Sequence, residues 1–221
     1  SVEPNDCKGN PGYTGEGTGV AACQPGTFKT TDTSSAACDD CGAGKYSAAA
    51  HAVAACPDCD AGKYKTDAVA ASCDNCPSNS GTGSATGTAA ESGCLADAGH
   101  TGSGNSVTGC GTGTYKEDSA SSVACSTCPS NSNSPAVSSL LNDCTADAGY
   151  TGAGSSVTAC AAGSFKGTAS SAAACTGCST GKYKSDTAQA SDTCDSCPDN
   201  SNSPAASSLL NDCVGVAGYI G

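Results

Sequence analysis

The sequence predicts a small disulfide-rich repeat array: an elongated rod of short β-hairpins and loops, with little helix and no single hydrophobic core. Three observations predict it. Nineteen of the 221 residues are cysteine, the density of a secreted disulfide scaffold. Leu, Ile, Val and Phe together number only 18, far below the roughly 20% at which an ordinary core becomes feasible. The 37% hydrophobic content is mostly Ala and Cys, which bury little area each. Finally, the cysteines recur at fixed intervals.

The repeat is close to chemical identity. Residues 131–143 read NSNSPAVSSLLND and residues 200–212 read NSNSPAASSLLND, differing at one position of thirteen. Cys94, Cys110, Cys125 and Cys128 return at Cys144, Cys160, Cys175 and Cys178, each 50 residues later. Repetition at a fixed period is read before fold, because each repeat is a unit that stacks on its neighbours. The repeat groups are 1–93, with three C-x-x-C modules; 94–143; 144–212; and 213–221, the start of a further repeat.

The array is built from two module types. The first is a gap, C-x15-C, carrying G-[YH]-T-G at Gly12–Gly15, Gly99–Gly102 and Gly149–Gly152, with Gly218–Gly221 departing at its third position. The second is a loop, C-x-x-G-x-[YF]-x…C-x-x-C, which holds one aromatic: Phe28, Tyr46, Tyr64, Tyr115, Phe165 or Tyr183, usually with a flanking Lys. Each ring is expected to pack on a disulfide, since little else apolar is present. Gly- and Ala/Ser-rich loops without helical periodicity predict two-stranded hairpins and turns. The SSLLND segments, 138–143 and 207–212, are long enough for one turn only.

An odd cysteine count leaves at least one without an intrachain partner, and spacing alone does not give connectivity. The two cysteines of a structural C-x-x-C rarely bond each other, which favours a ladder. Its preferred frame pairs each loop's flanks: Cys23–Cys38, Cys41–Cys56, Cys59–Cys73, Cys76–Cys94, Cys110–Cys125, Cys128–Cys144, Cys160–Cys175, Cys178–Cys194 and Cys197–Cys213, leaving Cys7 unpaired. The other frame begins Cys7–Cys23 and strands Cys213. Each closed loop of about 15 residues contributes on the order of 3 kcal/mol in the chain-entropy model.

The remaining chemistry is sparse. The net charge is −12, from 9 basic and 21 acidic residues, so no nucleic-acid partner is expected. No apolar run approaches the roughly 18 residues of a membrane span. C-x-x-C pairs invite a zinc reading, but lone cysteines interrupt the groups of four that zinc needs. Asp39, Asp40, Asp58 and Asp60 form no Asp-x-Asp-x-Asp-Gly calcium loop. His51 has no partner signal, and His100 stands where Tyr13 and Tyr150 stand. No nucleophile elbow or phosphate loop is present. The chain is therefore expected to be no enzyme, with no catalytic residue, metal or cofactor. Ser and Thr are abundant enough for O-linked glycans.

The string CPSNSNSPAVSSLLNDCTADAGYTGAGSSVTACAAGSFK, residues 128–166, resembles the cysteine-rich EGF-like or ephrin-receptor-like repeats of secreted and surface proteins of algae and other protists. The resemblance covers nearly the whole chain. Mastigoneme (flagellar hair) proteins of heterokont algae are the nearest functional match, and ciliate surface immobilisation antigens share the Cys-rich character. It implies an extracellular or cell-surface structural protein: a segment of a filament, hair or coat whose partners are copies of itself or related repeat proteins. The alternatives are a receptor or adhesin ectodomain and a surface antigen. Residues 1–15 align with 207–221 at eight of fifteen positions, so the array is expected to run on at both ends, with the partner of Cys7 lying upstream.

Overall fold

The computed structural model describes residues 7–218. Among them there is no α-helix, and every sheet has two strands only. The chain divides into two compact units, one of residues 1–108 with 118–124 and one of 109–117 with 125–221.

In the first unit, antiparallel hairpins pair Tyr13–Thr14 with Ala21–Ala22, Thr27–Phe28 with Asp39–Asp40, Lys63–Tyr64 with Asp74–Asn75, and Ser80–Gly81 with Leu95–Ala96. The loop between Cys41 and Cys56 has a single bridge, Lys45 to Asp58. In the second unit the pairs are Thr114–Tyr115 with Ser126–Thr127, Ser132–Asn133 with Thr145–Ala146, Tyr150–Thr151 with Thr158–Ala159, and Ser164–Phe165 with Thr176–Gly177. Lys182–Tyr183 with Asp195–Ser196 and Ser201–Asn202 with Val214–Gly215 complete it.

The registers explain the C-x-x-C motif. In five loops the two residues between the paired cysteines are the hairpin's return strand: Asp39–Asp40, Asp74–Asn75, Ser126–Thr127, Thr176–Gly177 and Asp195–Ser196. Successive side chains on an extended segment point to opposite faces. Cysteines three apart therefore face opposite ways, one back into its own loop and one forward into the next.

Each loop opens with the same turn. The third residue after the opening cysteine has a left-handed backbone, from Gly26 at φ 86° to Asn200 at φ 60°. Glycine and asparagine are the residues that tolerate this conformation at the second central position of a tight turn. C-x-x-G and C-P-x-N are thus one structural element written two ways. The gap hairpins turn through short 3₁₀ segments, Gly17–Gly19, Gly104–Ser106 and Gly154–Ser156. The LLND segments also form one 3₁₀ turn each. Asp143 Oδ2 accepts the Ser139 and Leu140 N–H groups at 3.0 and 2.9 Å, and Asp212 does the same for Ser208 and Leu209.

The interior holds almost no aliphatic carbon. Its buried apolar residues are cysteines plus Ala96 and Ala146. Leu140 and Leu209 are each 55% exposed, so even the few large aliphatics stay at the surface.

Candidate functional site

Nine disulfides close the loops: Cys23–Cys38, Cys41–Cys56, Cys59–Cys73, Cys76–Cys94, Cys110–Cys125, Cys128–Cys144, Cys160–Cys175, Cys178–Cys194 and Cys197–Cys213. Their Cα–Cα distances run from 5.4 to 5.9 Å, inside the range a relaxed bridge requires. Cys7 is free and exposed.

In the loops that hold an aromatic, the ring and the residue after it differ in burial. Phe28, Tyr46, Tyr64, Tyr115, Phe165 and Tyr183 are all partly exposed. The buried residue is the next one along, the sixth after each opening cysteine. It is Lys29, Ser47, Lys65, Thr82, Lys116, Ser134, Lys166 and Ser203, each at most 9% exposed. Lys184 holds the same place with its side chain 15% exposed. Each strand ends at its aromatic, and on an extended segment only one of two successive side chains can face inward. The inward side is lined by backbone carbonyls, which must be paired when removed from water. A lysine amine or a hydroxyl can pair them and a phenyl ring cannot.

The lysines that follow a gap do this in the same way twice. Lys29 Nζ donates to Gly9 O at 3.1 Å, to Tyr13 O at 2.6 Å and to Ser34 O. Lys166 Nζ faces the equivalent oxygens of Ala146, Tyr150 and Ser171 at 3.0, 2.6 and 2.6 Å, and Asp147 O at 3.2 Å. Lys65, which follows a loop, reaches Gly42 O and Ala68 O at 3.4 Å and Lys45 O. Each amine therefore ties its own loop to the module before it. Ser134 and Ser203 make one such tie each, to Thr114 O at 3.0 Å and Lys182 O at 2.9 Å.

Burial pushes the Lys65 amine below the usual lysine range, against the opposing pull of Asp67 and Asp40. Lys166 is lowered by burial too, with Asp147 opposing. The Tyr64 hydroxyl is raised by burial and by the charges of Glu91 and Asp74. Glu91 stands where Leu141 and Leu210 stand in the other repeats, and its Oε1 is buried without a hydrogen-bond partner among the described residues.

The backbone continues the same coupling. The left-handed glycine of one module donates its N–H to the buried-slot carbonyl of the next: Gly26 to Ser47 at 2.8 Å, Gly44 to Lys65 at 2.8 Å, Gly113 to Ser134 at 2.9 Å, Gly163 to Lys184 at 2.7 Å and Gly181 to Ser203 at 2.9 Å. From the gap modules, Gly12 donates to Lys29 and Gly149 to Lys166. The threonine of G-[YH]-T-G adds a tie of its own. Thr14, Thr101 and Thr151 Oγ1 donate to the carbonyls of Ala36, Val123 and Ala173, each two residues before a loop-closing cysteine. The fourth copy, at Gly218–Gly221, lies largely outside the described residues.

The other polar candidates do not converge. His51 sits against Tyr13 with ring centroids 4.8 Å apart, and His100 Nδ1 lies 3.3 Å from Ala98 O. Asp58 pairs with Lys45 and Asp60 with Lys63, both at the surface. Asp39 and Asp40 lie exposed on their return strand. Among the described residues no group of three or more His, Cys, Asp or Glu is placed to hold a metal ion. No helix among them is long and apolar enough to cross a membrane. An open groove of about 470 Å³ beside Pro204, Ser208 and Asn211 has Asp212 as its one carboxylate, and that group is spent on the 3₁₀ turn.

Residues 44–94 match the model of a family described as tyrosine-protein kinase ephrin type A/B receptor-like. No curated protein matches the sequence. The matched stretch runs from Gly44, inside the loop Cys41–Cys56, through the loops Cys59–Cys73 and Cys76–Cys94, and includes the buried slots at Ser47, Lys65 and Thr82. Together with the nine disulfides, the match places these loops with cysteine-rich repeats of the extracellular type and points to an extracellular or cell-surface protein.

Proposed function

We propose that the chain is a structural segment of an extracellular filament, flagellar hair or surface coat, of the mastigoneme type, and that it is not an enzyme. The observation that carries this is the recurrence, within each unit, of the same coupling between a module and its successor. The same glycine N–H, the same buried slot and the same disulfide recur along the chain, while among the described residues no group of three or more His, Cys, Asp or Glu comes together to hold a metal ion. Stability in such arrays is nearly a sum of repeat and nearest-neighbour terms. In this reading the sequence groups 1–93, 94–143, 144–212 and 213–221 are the building units. Partners are further copies or related repeat proteins, one of which offers Cys7 a cysteine. The negative charge, with O-linked glycans on exposed Ser and Thr, keeps the surface hydrated and opposes lateral aggregation.

The family match at 44–94 favours a second reading, a receptor or adhesin ectodomain. Negative-stain electron microscopy of native material, with and without reductant, separates the two. Long regular fibres that soften or fragment on reduction support the structural reading. Short monodisperse particles at micromolar concentration remove it and leave the ectodomain.

A further inference from the structure

We propose that the gap modules are tension-yielding links, each clipped shut by noncovalent contacts, whereas the disulfide loops are locked out of the path that carries force. The structural role gives this its meaning in the assembled protein, but the mechanics below belong to the single chain.

Tension entering at Cys160 crosses to Cys175 through the disulfide, 5.7 Å between Cα atoms, and the fourteen residues between them carry none of it. The same holds for all nine loops. From Cys7 to Cys213, the backbone that must carry tension is confined to the C-x-x-C links and three gaps: 7–23, 94–110 and 144–160. No disulfide spans any of the three. Sixteen peptide steps drawn straight measure at most about 55 Å, so each gap can release up to that length. The C-x-x-C links are three steps long and lie in short strands or turns, with little slack to give.

The clip is identifiable. In the gap 144–160, Gly154 N–H donates to Cys144 O at 2.8 Å, Ala146 N–H to Gly152 O at 3.1 Å and Cys160 N–H to Gly149 O at 2.8 Å. Lys166 then fastens Ala146, Asp147 and Tyr150 to the far side of Cys160. Extending this gap requires stripping the amine from three carbonyls inside it. Lys29 does the same for Gly9 and Tyr13 in the gap 7–23. The repeat therefore places a buried lysine after each gap it clips, while loops closed by disulfides precede Ser47, Thr82, Ser134 and Ser203 as well as lysines.

Pulling the oxidised full chain by its termini in optical tweezers tests this. Forced unfolding reports unfolding rates, so loss of a clip appears as a lower release force. The expected trace has three short releases, none longer than about 55 Å, and a total length from Cys7 to Cys213 capped near about 270 Å; reduction raises the cap to about 700 Å. Lys166→Ala moves one release to lower force and leaves the other two in place. A release longer than one gap in the oxidised chain, the absence of releases before covalent rupture, or a Lys166→Ala trace identical to the parent's overturns the proposal. The wild-type release count stands even if the variant folds poorly. Because the experiment needs no assembly, its failure is separate from a failure of the filament reading, which microscopy decides.

Discussion

The gap Cys144–Cys160 and the loop Cys160–Cys175 are adjacent, nearly equal in length, and built from the same two-residue strands. They are held by different physics. The loop is closed by a covalent bond that acts on the unfolded chain by limiting what it can explore. The gap is closed by contacts that exist only when folded: a two-stranded hairpin with its 3₁₀ turn, further backbone hydrogen bonds and one lysine amine. For its closure the loop needs only its two cysteines, and within AAGSFKGTASSAAA it keeps Gly163 for the turn and Lys166 for the tie to the gap. Noncovalent closure asks more of the sequence, and the gap keeps its Gly149, Thr151 and Gly152, each in a named contact.

Four experiments sharpen or break this contrast. Replacing Cys160 and Cys175 together with serine should cost about 3 kcal/mol in unfolding free energy, read by urea denaturation. An effect confined to a few tenths would mean that the loop is held by its packing. Lys166→Ala strands the carbonyls of Ala146, Asp147, Tyr150 and Ser171 and should cost about 2–3 kcal/mol, against about 1 kcal/mol for Ser134→Ala with its one bond. Equal costs would show that the slot needs only to be filled. Thr151→Val removes one exposed hydroxyl tie to Ala173 and should cost about 0.5–1 kcal/mol, seen as faster amide exchange at positions 151 and 158, which pair in the ladder. The smallest effect is in pH. Burial lowers the Lys166 amine in the folded state, so the unfolded chain binds the proton more tightly. The part of stability set by this group therefore rises as pH climbs through the depressed value towards the ordinary lysine value. With Cys7 alkylated to prevent disulfide exchange, the slope should flatten in Lys166→Ala.

Much of this was legible in the residues. Cysteine density with few aliphatics implied cross-linking in place of a core, and the structure has nine disulfides, with cysteines and two alanines as its buried apolar residues. The single turn of LLND and the hairpin character of the loops were legible too. The burial of Lys29, Lys65, Lys116 and Lys166 was not. An aromatic beside a lysine reads as ring inside and amine outside, because lysine is among the residues least often fully buried. A signal was nonetheless available: the sixth residue after every opening cysteine is Lys, Ser or Thr, a polar donor at nine successive positions.

By itself, then, the sequence determined the period, the absence of an aliphatic core and the turn at each loop's third residue, because these depend on composition and on neighbours a few residues apart. Only the tertiary structure decided between the two disulfide frames and turned the lysines inward. Both depend on what lies opposite a residue fifteen to twenty positions away. There the carbonyls of one module, cut off from water by the next, are paired by an amine or a small hydroxyl.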